Sequence, residues 1–196
     1  MAALIILAVI AAVVVWLVMI FNGLVRIRNQ ASNALAQIDV QLKRRHDLIP
    51  NLVETAKGYM AHESSTLEAV IEARNQARKV MEEGSHSPDD GNYMNLIAKA
   101  EGMLSKALGN FYAVAENYPE LKADSVVKDL FDEITNTENR IGFARQHYND
   151  SVMFYNNQRE VFPNNFISGT FGFRPMQSLD FADKSAIIQA PKVQLS

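Results

Sequence analysis

The chain opens on an unbroken apolar block, AALIILAVIAAVVVWLVMIF from Ala2 to Phe21, with no charged residue, Pro or Gly. At about 1.5 Å rise per residue a helix of that length covers roughly 30 Å, the thickness of a bilayer's hydrocarbon core. The block therefore predicts a transmembrane helix over residues 2–21. Beyond it the apolar positions thin to a seam, Leu24, Ile27, Ala31, Ala34, Ile38 and Leu42, spaced three and four apart. That is the pattern of a helix packing on other helices, and it predicts that the span continues as a stalk over residues 22–46.

Pro50 interrupts the polar face, and with no N–H and a ring that crowds the carbonyl of His46 it predicts a kink or restart, with Asp47 as a cap. The seam then resumes at Leu52, Ala56 and Met60 and continues through Leu67, Val70, Ala73, Ala77 and Met81. Ser65 and Glu68 have capping-box spacing, which would break this run. Because the helical phase survives from Ile49 to Leu67, a single helix over about 47–83 is favoured.

Gly84 to Gly91 is dense in turn formers and reads as a loop. A third stripe runs from Tyr93 through Ile97, Ala100, Leu104, Leu108 and Phe111 to Tyr118, ended by Pro119, and predicts a helix over about 92–118. After a short connector, Asp124 is a candidate N-cap for a long helix over about 124–160, carried by Leu130, Ile134, Ile141, Tyr148, Val152 and Tyr155. Long helices joined by short loops form antiparallel bundles, so the fold class is all-α: an anchor (1–21), a helical bundle (22–161) and an irregular aromatic-containing tail (162–196). In the tail Asn164, Asn165, Gly169, Gly172, Pro175 and Pro191 oppose a long helix. Phe166, Phe171, Phe173 and Phe181 are too apolar for a solvated end, which places the tail against the bundle or a neighbouring subunit.

Flanking charge refines the anchor. A cleaved signal peptide needs a basic start, a shorter apolar core and a small-residue cleavage site, and none of the three is present. Arg26 and Arg28, then Lys43, Arg44 and Arg45, follow the span while no Lys or Arg precedes it, which predicts N-terminus outside and the bulk of the chain in the cytoplasm, at a bacterial inner membrane. The formal net charge of −3 gives no basic footprint for nucleic acid. Zero cysteines exclude disulfides, thiolate nucleophiles and Cys-type zinc or iron–sulfur sites.

Catalytic signals are weak. His62-Glu63 begins the zinc-protease pattern H-E-x-x-H, but position 66 is Thr. His46, His86 and His147 have no ligand spacing, no nucleophile elbow or phosphate loop occurs, and carboxylates such as Glu82-Glu83 point about 100° apart on a helix. Gly102 and Gly109 fall within a helix, where close packing is the simple reading. No cofactor or metal is expected. Two features remain. Lys43-Arg44-Arg45 can pair with Asp39 and Asp47 on its own helix, yet Arg45 falls on the apolar seam, where a buried carboxylate partner would be needed. A stalk would hold this cluster about 33 Å from the membrane, too far for lipid. The second feature is Tyr148-Asn149 repeated at Tyr155-Asn156, seven apart and on one helix face, suited to a hydrogen-bonded helix interface within or between chains.

The run IDVQLKRRHDLIPNLVETAKGYMAHESSTLEAV, with AENYPELKA, TENRIGFARQHYNDSVMFYN and Gly172-Phe173, resembles the LemA family of bacterial membrane proteins over nearly the whole chain. Phe21-Asn22 stands where that pattern often has Tyr-Asn, and Leu35 where it often has Trp. The resemblance implies an N-terminal anchor with a short exterior N-terminus, a cytoplasmic all-helical domain and no known catalytic activity. It also implies a magnetosome-associated branch and, for some members, the company of a membrane zinc metalloprotease. The expected function is a non-catalytic membrane-anchored scaffold that self-associates, with an adaptor for a membrane protease as the alternative. The expected interaction residues are Lys43, Arg44, Arg45, Tyr148, Asn149, Tyr155, Asn156, Phe171 and Phe173.

Overall fold

A computed structural model describes residues 1–180. Those residues form helices and connecting turns with no strand: α1 (Ala2–Lys57), α2 (Ser64–Glu83), α3 (Gly91–Ala115), α4 (Pro119–Ala123), α5 (Ser125–Glu160) and α6 (Asn164–Thr170). Phe181 and Pro191, read above as part of the tail, lie outside them.

The organising element is α1, 56 residues long, roughly 84 Å from end to end. Its first eighteen residues, Ala2 to Met19, stand exposed, and burial begins at Ile20 and Phe21. From there Leu24, Ala31, Ala34, Leu35, Ile38, Leu42, Ile49, Leu52, Val53 and Ala56 form a continuous buried stripe. One helix thus supplies both the apolar N-terminal segment and the central helix of the bundle.

Two sequence expectations are corrected. Pro50 lies inside α1 and does not restart it. The ring removes the N–H that His46's carbonyl would accept, and the Arg74 Nε of α2 donates to that carbonyl instead, at 2.9 Å. The single helix over 47–83 is broken: α1 stops at Lys57, and turns over residues 58–63 lead into α2. The seam keeps its phase across the break because both helices turn the same stripe inward, against each other. Glu63, not Ser65, occupies the N-cap of α2, with no side-chain capping bond.

Cross-helix pairs fix the directions. Arg74 bonds His46's carbonyl and His86 pairs with Asp39, so α2 runs back along α1. Glu101 of α3 meets Arg45, and Tyr93 lies beside the Asp39–His86 pair, so α3 runs with α1. Glu133 meets Arg44, and Tyr59 at the far end bonds Asp124, so α5 runs back again. The result is an up-down-up-down four-helix bundle. Asp124 caps α5 by accepting from Val126 and Val127 at 2.8 and 3.0 Å, and Asp90 caps α3 in the same way. Gly84 permits the α2–α3 turn: a Cβ there would lie 2.1 Å from the Tyr93 ring.

The α2–α3 turn meets α1 only at the level of Asp39, about 27 Å beyond Phe21. Below that level α2 and α3 contribute little beyond Met81, Tyr93, Met94 and Ile97. The tail takes their place. After the two turns of α6, inside the stretch read as irregular, Gly172 adopts φ +71° and the Phe173 N–H returns to Ser168's carbonyl at 3.0 Å. This left-handed cap turns the chain back onto α1 and α5. Phe173, Met176 and Leu179 are then buried at every third position, the repeat of a polyproline-like extended chain. The interior accordingly divides into two apolar clusters. A lower one joins Leu24–Leu42 to Tyr148, Tyr155, Phe173, Met176 and Leu179. An upper one joins Ile49–Met60 to Leu67, Val70, Leu104, Phe111 and Ile134.

Candidate functional site

Arg45 and His46 occupy the gap between those two clusters. Arg45 is fully buried and fans its guanidinium across two helices, Nη2 to Glu101 of α3 and Nη1 to Glu138 of α5. Nη1 also reaches the Ser105 hydroxyl at 3.3 Å. His46 Nε2 lies 2.9 Å from the second oxygen of Glu101. The seam position of Arg45 demands a buried carboxylate, and Glu101, also fully buried, is that partner. Burial acts against the charge of Arg45, but Glu101 and Glu138 outweigh it and raise its pKa. Burial likewise acts to raise Glu101, and the His46 hydrogen bond with the charge of Arg45 holds it below its ordinary value of 4.5. Both groups stay ionised at neutral pH, and the pair ties α1, α3 and α5 together at mid-height.

The other basic residues do not gather around Arg45. Arg44 pairs with Glu133 on the surface and Lys43 is exposed. The expected local pairs with Asp39 and Asp47 do not form; Asp39 accepts from His86 Nδ1 at 2.8 Å. Arg45 is therefore an internal strut, while Lys43 and Arg44 stand at the surface. Gly102 and Gly109 are also corrected: nothing lies within 4 Å of a Cβ built on either. They line an open groove between α3 and α5 with Ser105, Ile134 and Glu138. Glu101 was identifiable in sequence as a charged residue four past Ile97 and three before Leu104, on the stripe itself. Arg74 carried no such mark.

The repeated Tyr-Asn pairs find their partner within the chain. Asn149 accepts from the Leu179 N–H at 2.8 Å and donates to its carbonyl at 3.1 Å. Asn156 does the same with Met176, at 3.0 and 2.9 Å. The Tyr148 hydroxyl donates to Gln177's carbonyl at 2.6 Å and that of Tyr155 to Arg174's at 2.9 Å. Seven helical residues advance about 10.5 Å, and three residues of extended polyproline-like chain about 9.3 Å. The tail therefore runs antiparallel to α5 in register, three of its residues to each seven of the helix. Burial raises the pKa of both tyrosines, keeping them neutral donors. Phe173 is buried within this arrangement, whereas Phe171 is exposed; both rings stand edge-on to Phe21, at 5.5 and 5.1 Å.

Among the described residues no three His, Asp or Glu side chains gather as a metal site. The hydrogen bonds and ion pairs described above hold segments of the chain to one another.

The chain is 23% identical over 181 residues to the magnetosome protein MamQ of Magnetospirillum gryphiswaldense, covering 85% of this chain and 66% of that protein. It is 25% identical to magnetosome protein MamQ 2 of Paramagnetospirillum magneticum, covering 84% and 66%. It thus spans just under two thirds of the MamQ length. Protein LemA of Metamycoplasma hominis is 24% identical, over 88% of this chain and 70% of that one. The pattern that defines the LemA family matches residues 34–195, from midway along the stalk through the bundle and tail, and the chain belongs to the LemA family.

Proposed function

We propose that this protein is a non-catalytic, single-pass scaffold of a bacterial inner membrane, with its helical bundle in the cytoplasm, and that it self-associates. The observation that carries the reading is the continuity of α1. One uninterrupted helix runs from the apolar segment to Lys57, so the bundle is joined rigidly to the span rather than hung on a linker. The far end stands about 54 Å from Phe21, a reach suited to presenting a surface away from lipid. Arg26 and Arg28 immediately after the span support the cytoplasmic side for the bundle.

Self-association is supported by the outer face of α1 and α5, where Val40 and Phe143 are exposed across a shallow groove shared with Gln37, Ala144 and His147. An exposed Phe beside an exposed Val, rimmed by polar side chains, is the composition of a helix-packing contact. Detergent-solubilised protein at micromolar concentration, measured by size exclusion with light scattering, should run as a defined oligomer, and Phe143→Asp should dissociate it. A strict monomer counts against the scaffold.

The adaptor reading has its own support in a groove of about 860 Å³ at the far end, between α1 and α2, lined by Val53, Met60, Leu67 and Ile71. Its apolar floor and charged rim (Lys57, Glu68, Lys79) suit an extended peptide. Cross-linking in membranes separates the readings: self-only products favour the scaffold, a protease in stoichiometric yield the adaptor.

A further inference from the structure

Below the bundle, at the end of the apolar segment, three phenylalanines face outward. Phe162, Phe166 and Phe171 are 76%, 68% and 61% exposed. Phe162 and Phe166 touch edge to face at 6.1 Å, and Phe171 rests on Phe21 at 5.1 Å. Phe21 is the last residue of the unbroken apolar run and one of the first that the bundle begins to cover. The ring contact therefore fixes the turn after α6 at the level where a spanning α1 would leave the hydrocarbon. Because α6 packs against both α1 and α5, this placement is held by the fold.

We propose that α6 and its flanking turns form a second membrane contact, with Phe162, Phe166 and Phe171 inserted at the boundary between headgroups and acyl chains. The inference rests on reading residues 2–21 as a span and adds to it a lateral foot that sets the tilt and rotation of the stalk. Three Phe rings exposed side by side are a large contiguous apolar surface to leave in water. Aromatic residues at headgroup level anchor membrane proteins in this way. The surrounding charge selects lipid over a second copy of the chain. Arg26, Arg28 and Arg174 are exposed at the same end, while Arg159 is paired with Glu160. Arg28 lies about 10 Å beyond Phe21 along α1, near one Debye length in physiological salt. Anionic headgroups meet these cations favourably, whereas a two-fold contact would bring them together with their own copies.

The sequence supplies its own reporters. It has no cysteine and a single tryptophan, Trp16, inside the apolar segment. Full-length Phe166→Cys and, as a distal control, Ser65→Cys would each carry an environment-sensitive fluorophore in vesicles of phosphatidylcholine and phosphatidylglycerol. Lipids bearing a quencher just below the headgroup are expected to remove roughly half the emission at position 166, for a side chain seated about 5–10 Å into the interface. They should leave position 65 unaffected, and a deep quencher should reach Trp16. If Trp16 is quenched while 166 behaves like 65, the foot is wrong and the span stands. If neither responds, both readings fall. If 166 is shielded only at high protein-to-lipid ratio and without lipid quenching, a second copy covers the patch and the lipid assignment is overturned.

Discussion

The Arg74 guanidinium donates a 2.9 Å hydrogen bond to the backbone carbonyl of His46, the group that Pro50 deprives of its helical partner. A proline inside a helix ordinarily costs about 3 kcal/mol, part of it from that orphaned acceptor. Supplying a donor from the neighbouring helix turns a break into a docking point between α1 and α2.

The two residues should therefore be coupled. Arg74→Ala is expected to destabilise the protein by about 1–2 kcal/mol, the cost of leaving a part-buried carbonyl unsatisfied. In a Pro50→Ala background, where residue 50 can again donate to His46, the same change should cost about 1 kcal/mol less. A double-mutant cycle by urea unfolding in detergent measures the difference.

Removing the cation between the two cores should be severe. Arg45→Met strands the fully buried Glu101, and such losses typically reach about 3–5 kcal/mol. Adding Glu101→Met should recover at least about 2 kcal/mol, since a matched apolar replacement leaves no lone charge. Midpoints of thermal or denaturant melts for the single and double variants test this.

Acid sensitivity follows from the same pair. The folded-state pKa of Glu101 lies below its ordinary 4.5, so the unfolded chain binds its proton more readily. Its stabilising contribution is complete above pH 4.5 and is lost as pH falls through the lower folded value. Asp39 acts in the opposite sense, because burial raises it despite the His86 hydrogen bond, so stability from that group falls as pH rises above 3.8. Comparing wild type with Glu101→Gln between about pH 3 and 7 isolates the first effect: the fall in stability at the acid end should be shallower in the variant.

The tail is held by backbone bonds, and hydrogen exchange reads it directly. In Asn149→Ala/Asn156→Ala the amides of Leu179 and Met176 lose their acceptors and should lose protection at least about tenfold, with each substitution costing on the order of 1 kcal/mol. Protection in α3, away from the tail, should hardly change. Retained protection at both amides would refute the ladder.

These relationships differ in how far the sequence announces them. The long helices are legible because a buried stripe at three- and four-residue spacing has one reading, and Arg45 on that stripe calls for a buried carboxylate. The turn at residues 58–63 is hidden, because α1 and α2 each bury the continuation of one phase and Gly58 alone is a weak stop. Arg74 is hidden because its acceptor is a carbonyl, which every residue has. The Tyr-Asn repeat shows that α5 meets something hydrogen-bonded, but the partner offers backbone atoms, and only the coincidence of a three-residue with a seven-residue repeat identifies it.

The lower half of the interior is closed by Phe173, Met176 and Leu179, which leave the ribosome after every helix of the bundle. The upper half needs nothing beyond Ile134. In chain order the residues that close the distal tip are therefore all present before those that close the base, and a chain ending between α5 and Leu179 would lack the side chains that cover the base. Such a chain displays raw apolar surface at the point where α1 emerges, where quality-control proteases could tell it from the completed protein.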